Sequence, residues 1–352
     1  MKRSAISGIA LLGAAALLSG CSPAAETPSV DGKEVADKEL TFICSPQEDW
    51  CQAVAAAFTA ETGINANYVR LSGGEAIARL SATGDNPEFD AWFGGGAEGH
   101  IAADEQGYLE KYVSGNADVI PSEYKSEDGT WTGIYVGALS FCSNTDVLDR
   151  IGADAPESWD DLLDPAFKSN VAMAHPGTSG TAYQALWSHV VMNDGDQDAA
   201  LDYFADLHSN VLQYSKSGSA PGQMAGRGEI ATGIIFAQDC QKFINEGFTN
   251  LTTTFPEEGM GYEVGAVSLL KNAKHPDAAK AFIDWSLTAA AQDIAPTVGT
   301  YSVPTNPDAE LTDDMVDLDS LNLIHADIKE SGEARLELTA RFDAEVAPAP
   351  KE

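Results

Sequence analysis

Glu39-Leu-Thr-Phe-Ile-Cys44, the segment Trp50 to Thr62, and then Ala66-Asn-Tyr-Val-Arg-Leu71 are the stretch on which the fold turns. The first is a short apolar run of strand length. The second carries Val54, Ala57 and Phe58 at helical spacing and stops at Gly63, and the third is again a strand. Ser72-Gly-Gly-Glu75 then opens a helix from Ala76 to Ser81. Phe89-Asp-Ala-Trp-Phe93 is a third strand, ended by Gly94-Gly-Gly96, and a helix runs from about Glu98 to Gln106. This alternation predicts an α/β fold with a parallel sheet covered by helices, whose ligands gather at the carboxyl ends of the strands. Three loops of small residues, Ser45-Pro-Gln47, Ser72-Gly-Gly74 and Gly94-Gly-Gly96, fall on that edge.

Working outward, the chain has 352 residues, more than one hydrophobic core usually supports, and this predicts two lobes. The run Thr130 to Ser143 is long and extended, with Gly133 and Gly137 as points where a strand can bend, so it is expected to cross between lobes. A second alternating set follows: helix Trp159 to Leu163, strand Val171 to Ala174, helices Tyr183 to Met192 and Ala199 to Leu207, and strand Val211 to Tyr214. After it come the helix Pro221 to Gly226, the strands Ala231 to Ala237 and Tyr262 to Leu270, and the helix Pro276 to Thr288. The expected division is lobe I over 39–137, lobe II over 138–254, a return to lobe I over 255–305, C-terminal helices packing across both over 306–346, and a tail 347–352. Within lobe II, His175-Pro-Gly-Thr-Ser-Gly-Thr-Ala-Tyr183 leads from a strand into a helix. Its small residues leave backbone N–H groups uncovered at a helix start, where an anion is favoured, and Thr178, Ser179 and Thr181 add hydroxyls.

At the N-terminus, Lys2 and Arg3 precede an apolar run from Ile6 to Leu18, the pattern of a signal peptide over 1–20 and too short for a membrane span. The Leu18-Ser-Gly-Cys21 ending resembles the lipobox of bacterial lipoproteins, which implies cleavage before Cys21, a lipid on its sulfur, and an extracytoplasmic, membrane-anchored protein. Residues 21–38 read as a flexible tether. The formal charge of −34 makes nucleic acid an improbable partner. Of five cysteines, the four beyond Cys21 are an even number in an oxidising compartment. Cys44 and Cys51 are near neighbours, which favours pairing them and leaves Cys142 with Cys240, though three connectivities remain open. No zinc-binding spacing of Cys and His occurs, and no cofactor is implied.

Six segments in order carry a wider resemblance: Ala57-Phe-Thr-Ala-Glu-Thr-Gly63, Asp90-Ala-Trp-Phe-Gly-Gly95, Ser158-Trp-Asp-Asp-Leu-Leu163, Thr178-Ser-Gly-Thr-Ala-Tyr183, Gly228-Glu-Ile-Ala-Thr-Gly233 and His275-Pro-Asp-Ala-Ala-Lys280. From about Leu40 to Pro304 the chain resembles bacterial periplasmic solute-binding proteins of the ferric-iron and phosphorylated-solute (hexose-phosphate, 2-aminoethylphosphonate) group. These are the capture components of ABC importers. The resemblance implies the two-lobed type II periplasmic-binding-protein fold, each lobe a mostly parallel sheet flanked by helices and joined by crossing hinge strands. It also implies a monomer that closes over a small solute and then meets a permease and ATPase.

The iron-binding members of that group hold Fe(III) with a His or acidic residue in the first strand–helix loop, a carboxylate after the third strand, and a Tyr-Tyr pair after the Gly-Glu-Ile-Ala strand. Here the matching positions are Gln47, Gly94-Gly95 and Gln238-Asp239. Hard Fe(III) needs anionic oxygen, which an amide and a glycine cannot supply. The replacement suits a small organic anion, with a phosphate or phosphonate group, in place of the metal. Ser72, Gly73, Gly95, Ser179, Gly180, Thr181 and Ser217 would present N–H and hydroxyl groups, and Lys216 a charge. Gln47, Gln238, Asp239, Glu258 and Glu263 would meet hydroxyls or an amine at the other end. A competing class is a secreted hydrolase: Gly177-Thr-Ser-Gly180 is similar to a nucleophile turn, but Thr181 stands where its second Gly belongs.

Overall fold

The computed structural model describes residues 29–30, 33–84 and 86–350. The expected signal segment 1–20, the expected lipidation site Cys21 and most of the expected tether 21–38 lie outside the described residues. Lobe I opens with β1 (Glu39–Cys44), α1 (Glu48–Thr62), β2 (Asn65–Arg70), α2 (Gly73–Thr83), β3 (Ala91–Gly96) and α3 (Ala97–Glu105). Helix α1 buries Trp50, Cys51, Val54, Ala55 and Phe58 and ends where Gly63 turns left-handed at φ 75°, a conformation that costs glycine little.

Strand β4 (Thr132–Asn144) then leaves the lobe. Up to Ala138 it pairs with a later strand, Tyr262–Leu270, and from Leu139 with another, Thr232–Phe236, so one strand belongs to both lobes. Lobe II continues with β5 (Val171–Ala174), α4 (Gly180–Met192), α5 (Gln197–His208), β6 (Val211–Ser215), α6 (Ala220–Gly226), β7 (Thr232–Phe236), α7 (Ala237–Asn245) and β8 (Leu251–Thr254). The chain returns through β9 (Tyr262–Leu270) and α8 (Pro276–Ser286) and ends on α9 (Ile328–Glu345). The strand order is β2-β1-β3-β9-β4-β7-β5-β6.

The parallel pairing expected for each lobe holds only for its outer strands, β2-β1-β3 and β7-β5-β6. At the junction β9 is antiparallel to both β3 and β4, and β4 to β7. The reason is connectivity: β4 leaves lobe I while β9 re-enters it, so adjacent crossing strands run in opposite senses. Gly133 and Gly137 do not break β4. They allow close approach: a side chain at Gly137 would overlap Gln238, and one at Gly133 would overlap Tyr124 and Val264.

Each lobe has its own core, built in lobe I around Phe42, Phe58, Phe93 and Phe282 and in lobe II around Phe141, Tyr183, Phe204 and Phe236. Helix α9 belongs to both. Its Leu338 and Phe342 join the lobe II core, while Gly332 rests on Ile101 of α3. Two disulfides, Cys44–Cys51 and Cys142–Cys240, complete the frame, and all four sulfurs lie in fully buried residues. Among the described residues no helix is long and apolar enough to cross a membrane.

Candidate functional site

A cavity lies between the lobes. The strand-end rule accounts for its walls. From lobe I come Gln47 in the β1–α1 loop, Ser72 and Gly73 at the start of α2, and Gly95 at the end of β3. From lobe II come Ser179, Gly180 and Thr181 at the start of α4, Ser217 before α6, and Gln238 and Asp239 on α7. Glu263 reaches in from the crossing strand β9.

Eleven of the twelve expected ligand positions thus line one space. The twelfth, Glu258, does not: it is exposed, and its carboxylate accepts the Trp159 backbone N–H at 3.3 Å on the flank of lobe II. It sits in the connection before β9, ahead of Glu263, the residue by which that strand lines the cleft. Lys216 is also absent from the lining.

Helix α4 is the longer of the two helix starts that meet here. Its N-cap Ser179 makes no side-chain bond to its own helix, so that hydroxyl is not committed to capping. At α2 the start is partly occupied, because the Glu75 carboxylate accepts both the Ser72 backbone N–H at 3.0 Å and the Ser72 hydroxyl at 2.8 Å. The two helix starts touch: Gly74 N–H donates to the Thr178 carbonyl at 3.2 Å across the cleft. Elsewhere along the rim Gln47 donates to the Asp239 carboxylate, Lys242 pairs with Asp49, and Asn245 donates to the Tyr301 hydroxyl at 2.8 Å.

Beside the start of α4 the wall is acidic, with Glu263 Oε2 3.2 Å from where a Cβ on Gly180 would stand. Tyr135 of β4 donates from its hydroxyl to Glu263 at 2.9 Å and receives the Gly95 N–H at 3.2 Å. The ring lies across Gly265 of β9, where any side chain would overlap it. Burial, and then the neighbouring Glu98 charge, push Glu263 up to about 8. Burial raises Asp239 to about 6 against the opposing hydrogen bond from Gln47 and the Lys242 charge. Burial likewise holds the Tyr135 phenol well above its ordinary value.

Sequence reasoning passed over Arg70, the one Lys or Arg side chain in the lining, and Tyr135, Phe236, Thr300 and Ser302. Arg70 was within reach, since it ends β2 on the edge where ligands gather. Tyr135 and Ser302 had no local signal, because they enter the cleft by long-range pairing alone. Among the described residues no cluster of three or more His, Cys, Asp or Glu is arranged to hold a metal.

Comparison with known proteins supports the same architecture. The chain is 34% identical over 326 residues to an uncharacterised protein of Haemophilus influenzae, covering 90% of this chain and 93% of that one. It is 29% identical over 208 residues, 58% of each chain, to a putative 2-aminoethylphosphonate-binding periplasmic protein of Salmonella typhimurium. Among solved structures, the periplasmic binding protein AfuA of Actinobacillus pleuropneumoniae, solved with fructose 6-phosphate bound, superposes with a TM-score of 0.85 at 35% identity, covering 88% of this chain and 99% of that one. A ferric binding protein of Campylobacter jejuni, at 20% identity and a TM-score of 0.73, shares the type II periplasmic-binding fold. Residues 53–321 match the family described as bacterial extracellular solute-binding protein, and the chain belongs to that family.

Proposed function

We propose that this protein captures a small organic phosphate or phosphonate in the cleft between its lobes and delivers it to the permease of an ABC importer, without chemical change. The observation that carries the reading is the meeting of two helix starts, Ser72-Gly73 and Ser179-Gly180-Thr181, on a cavity that Asp239 and Glu263 also line. Backbone N–H groups, free hydroxyls and Arg70 suit the anionic head. The carboxylates suit hydroxyl or ammonium groups at the other end. Contacts from both lobes favour the closed form, which is how binding energy becomes a signal to the permease. The lipid on Cys21 would hold the monomer at the outer face of a membrane.

Ferric iron fits less well, because Tyr135 donates its proton to Glu263 and burial keeps it protonated, so it is a poor source of phenolate. A hydrolase is disfavoured by His175, the histidine nearest Ser179 in sequence. Its Nδ1 accepts the Gly177 N–H at 3.1 Å and its Nε2 lies 2.9 Å from the Ala347 carbonyl, so neither nitrogen is available as a base.

A thermal-shift panel of fructose 6-phosphate, 2-aminoethylphosphonate, inorganic phosphate and ferric citrate tests the reading. An organic phosphate or phosphonate at 100 times its Kd adds about 2.7 kcal/mol to stability and raises the melting temperature. Stabilisation by ferric citrate alone would overturn it.

A further inference from the structure

At the cleft wall and just behind it, two carboxylates and one guanidinium lie buried together. Glu98, on the first turn of α3, is 4% exposed, Glu263 on β9 is 6% exposed, and Arg335 on α9 is 2% exposed. Arg335 Nη1 lies 3.1 Å from Glu98 Oε1, and the guanidinium stands 4.3 Å from the centre of the Tyr183 ring. A Cβ built on Gly180 would lie 3.2 Å from Glu263 Oε2 and 3.5 Å from Glu98 Oε1, so both carboxylates crowd the first residue of α4.

The groups acting on this pair come from every side: Tyr135 from β4, Asp239 from α7, Tyr183 from α4 and Arg335 from α9. Arg335 is the one cation among them. Farther out, Arg70, Lys242 and Asp49 act on Asp239. Two buried carboxylates against one buried guanidinium leave a negative charge without a partner, which low dielectric penalises heavily.

We propose that the Glu98–Glu263 pair holds a single proton beneath the start of α4, and that capture of an anionic solute is coupled to that proton. The coupling rests on the anionic-solute reading above. The partial positive charge at the start of α4 acts on whatever anion is nearest. With the pair protonated once, Arg335 balances the remaining carboxylate and the helix start is left for the solute. With both ionised, a fixed negative charge competes for the same field and repels the solute.

The sign follows from linkage. A nearby bound anion raises the affinity of the pair for its proton, so binding takes up a proton at pH values between the midpoint of the free protein and that of the complex. Burial and the Glu98 charge set that midpoint at about 8. The contribution of this pair to affinity is therefore flat with pH below about 8 and falls by up to tenfold per pH unit above it, until the midpoint of the complex is reached.

The test has two arms. In the first, carboxyl carbons of glutamate-labelled protein are followed by NMR between pH 4 and 10 without solute. One carboxyl titrates near pH 8, is missing in E263Q, and titrates at least one pH unit lower in E98Q, where the negative neighbour is gone. E98Q keeps this arm decisive should E263Q fail to fold. Titration of every glutamate below pH 6 would overturn the proposal with no reference to ligand. In the second arm, calorimetry with fructose 6-phosphate and with 2-aminoethylphosphonate at pH 8.5, in buffers of different ionisation enthalpy, counts protons. Net uptake beyond that of the free solute, up to about three-quarters of a proton and abolished in E263Q, supports the coupling, and binding without such uptake overturns it. Absence of binding heat with either solute at pH 6.8 and 8.5 sinks the anionic-solute reading and the coupling with it. The first arm still decides the proton.

Discussion

At the scale of single residues, Asp239 has two partners to serve, the Gln47 amide across the cleft and any donor on a solute. Replacing it with Ala removes a charge-assisted hydrogen bond, so Asp239→Ala is expected to weaken solute binding by roughly 1.5–3 kcal/mol, measured by calorimetry. Its raised midpoint of about 6 adds a pH signature. As the pH falls through 6 the carboxylate takes up a proton and loses acceptor capacity, so affinity for a hydroxyl- or amine-bearing solute falls on the acid side. That fall is absent in D239N. The residues that sequence reasoning reached are those on strand ends and helix starts, such as Gln47, Ser179 and Asp239, because topology alone carries them to one edge. Glu98 and Arg335 were out of reach: they lie 237 positions apart, and only folding makes them neighbours.

At the scale of elements, α9 shows what the sequence left illegible. Its charged pattern predicts a helix that packs across the lobes, and the structure has Ile328–Glu345 in that place. Its polarity gives no hint that Arg335 is its most consequential side chain. That guanidinium ties the helix to α3 through Glu98 and to α4 through the Tyr183 ring, while the Tyr183 hydroxyl donates to the Ser331 carbonyl at 2.5 Å. Removing one partner of a buried pair strands the other. Arg335→Met should therefore cost about 3–5 kcal/mol in urea unfolding at pH 7, and R335M/E98Q should recover much of it. The crossing strands hold a comparable lesson. Gly133 and Gly137 read as points where a strand can bend, yet in the folded chain they make room for Tyr124 and Gln238, as Gly265 does for Tyr135. Close approach and bending leave the same mark in a sequence.

For the molecule as a whole, closure is limited by one atom. A Cβ at Gly74, in lobe I, would overlap the Gly177 carbonyl and the Thr178 backbone of lobe II. Gly74→Ala should leave each lobe intact while straining the closed arrangement by about 1–3 kcal/mol, the usual cost of overpacking. The expected result is a solute affinity several-fold to a hundred-fold lower, an unchanged melting temperature for the free protein, and a larger radius of gyration by X-ray scattering at saturating solute. Buried acids also tilt the pH dependence of the fold. Glu263 and Asp239 hold their protons more tightly folded than unfolded, so their contribution is fully present below about pH 4 and is lost as the pH rises through about 6 for Asp239 and about 8 for Glu263. Chemical unfolding of the free protein should accordingly show E263Q losing less stability than the parent between pH 5 and 9.

The two disulfides have a further consequence, for handling and assay. Cys44–Cys51 closes a small ring around Ser45, Pro46 and Gln47, and Cys142–Cys240 clamps α7, with its Gln238 and Asp239, to the strand shared by both lobes. Both clamps hold cleft walls, and both are shielded from solvent. A reductant must wait for the wall to open before it can act. Dithiothreitol should thus erode solute binding over time rather than at once, and chain made in a reducing cytoplasm should yield protein with a slack cleft.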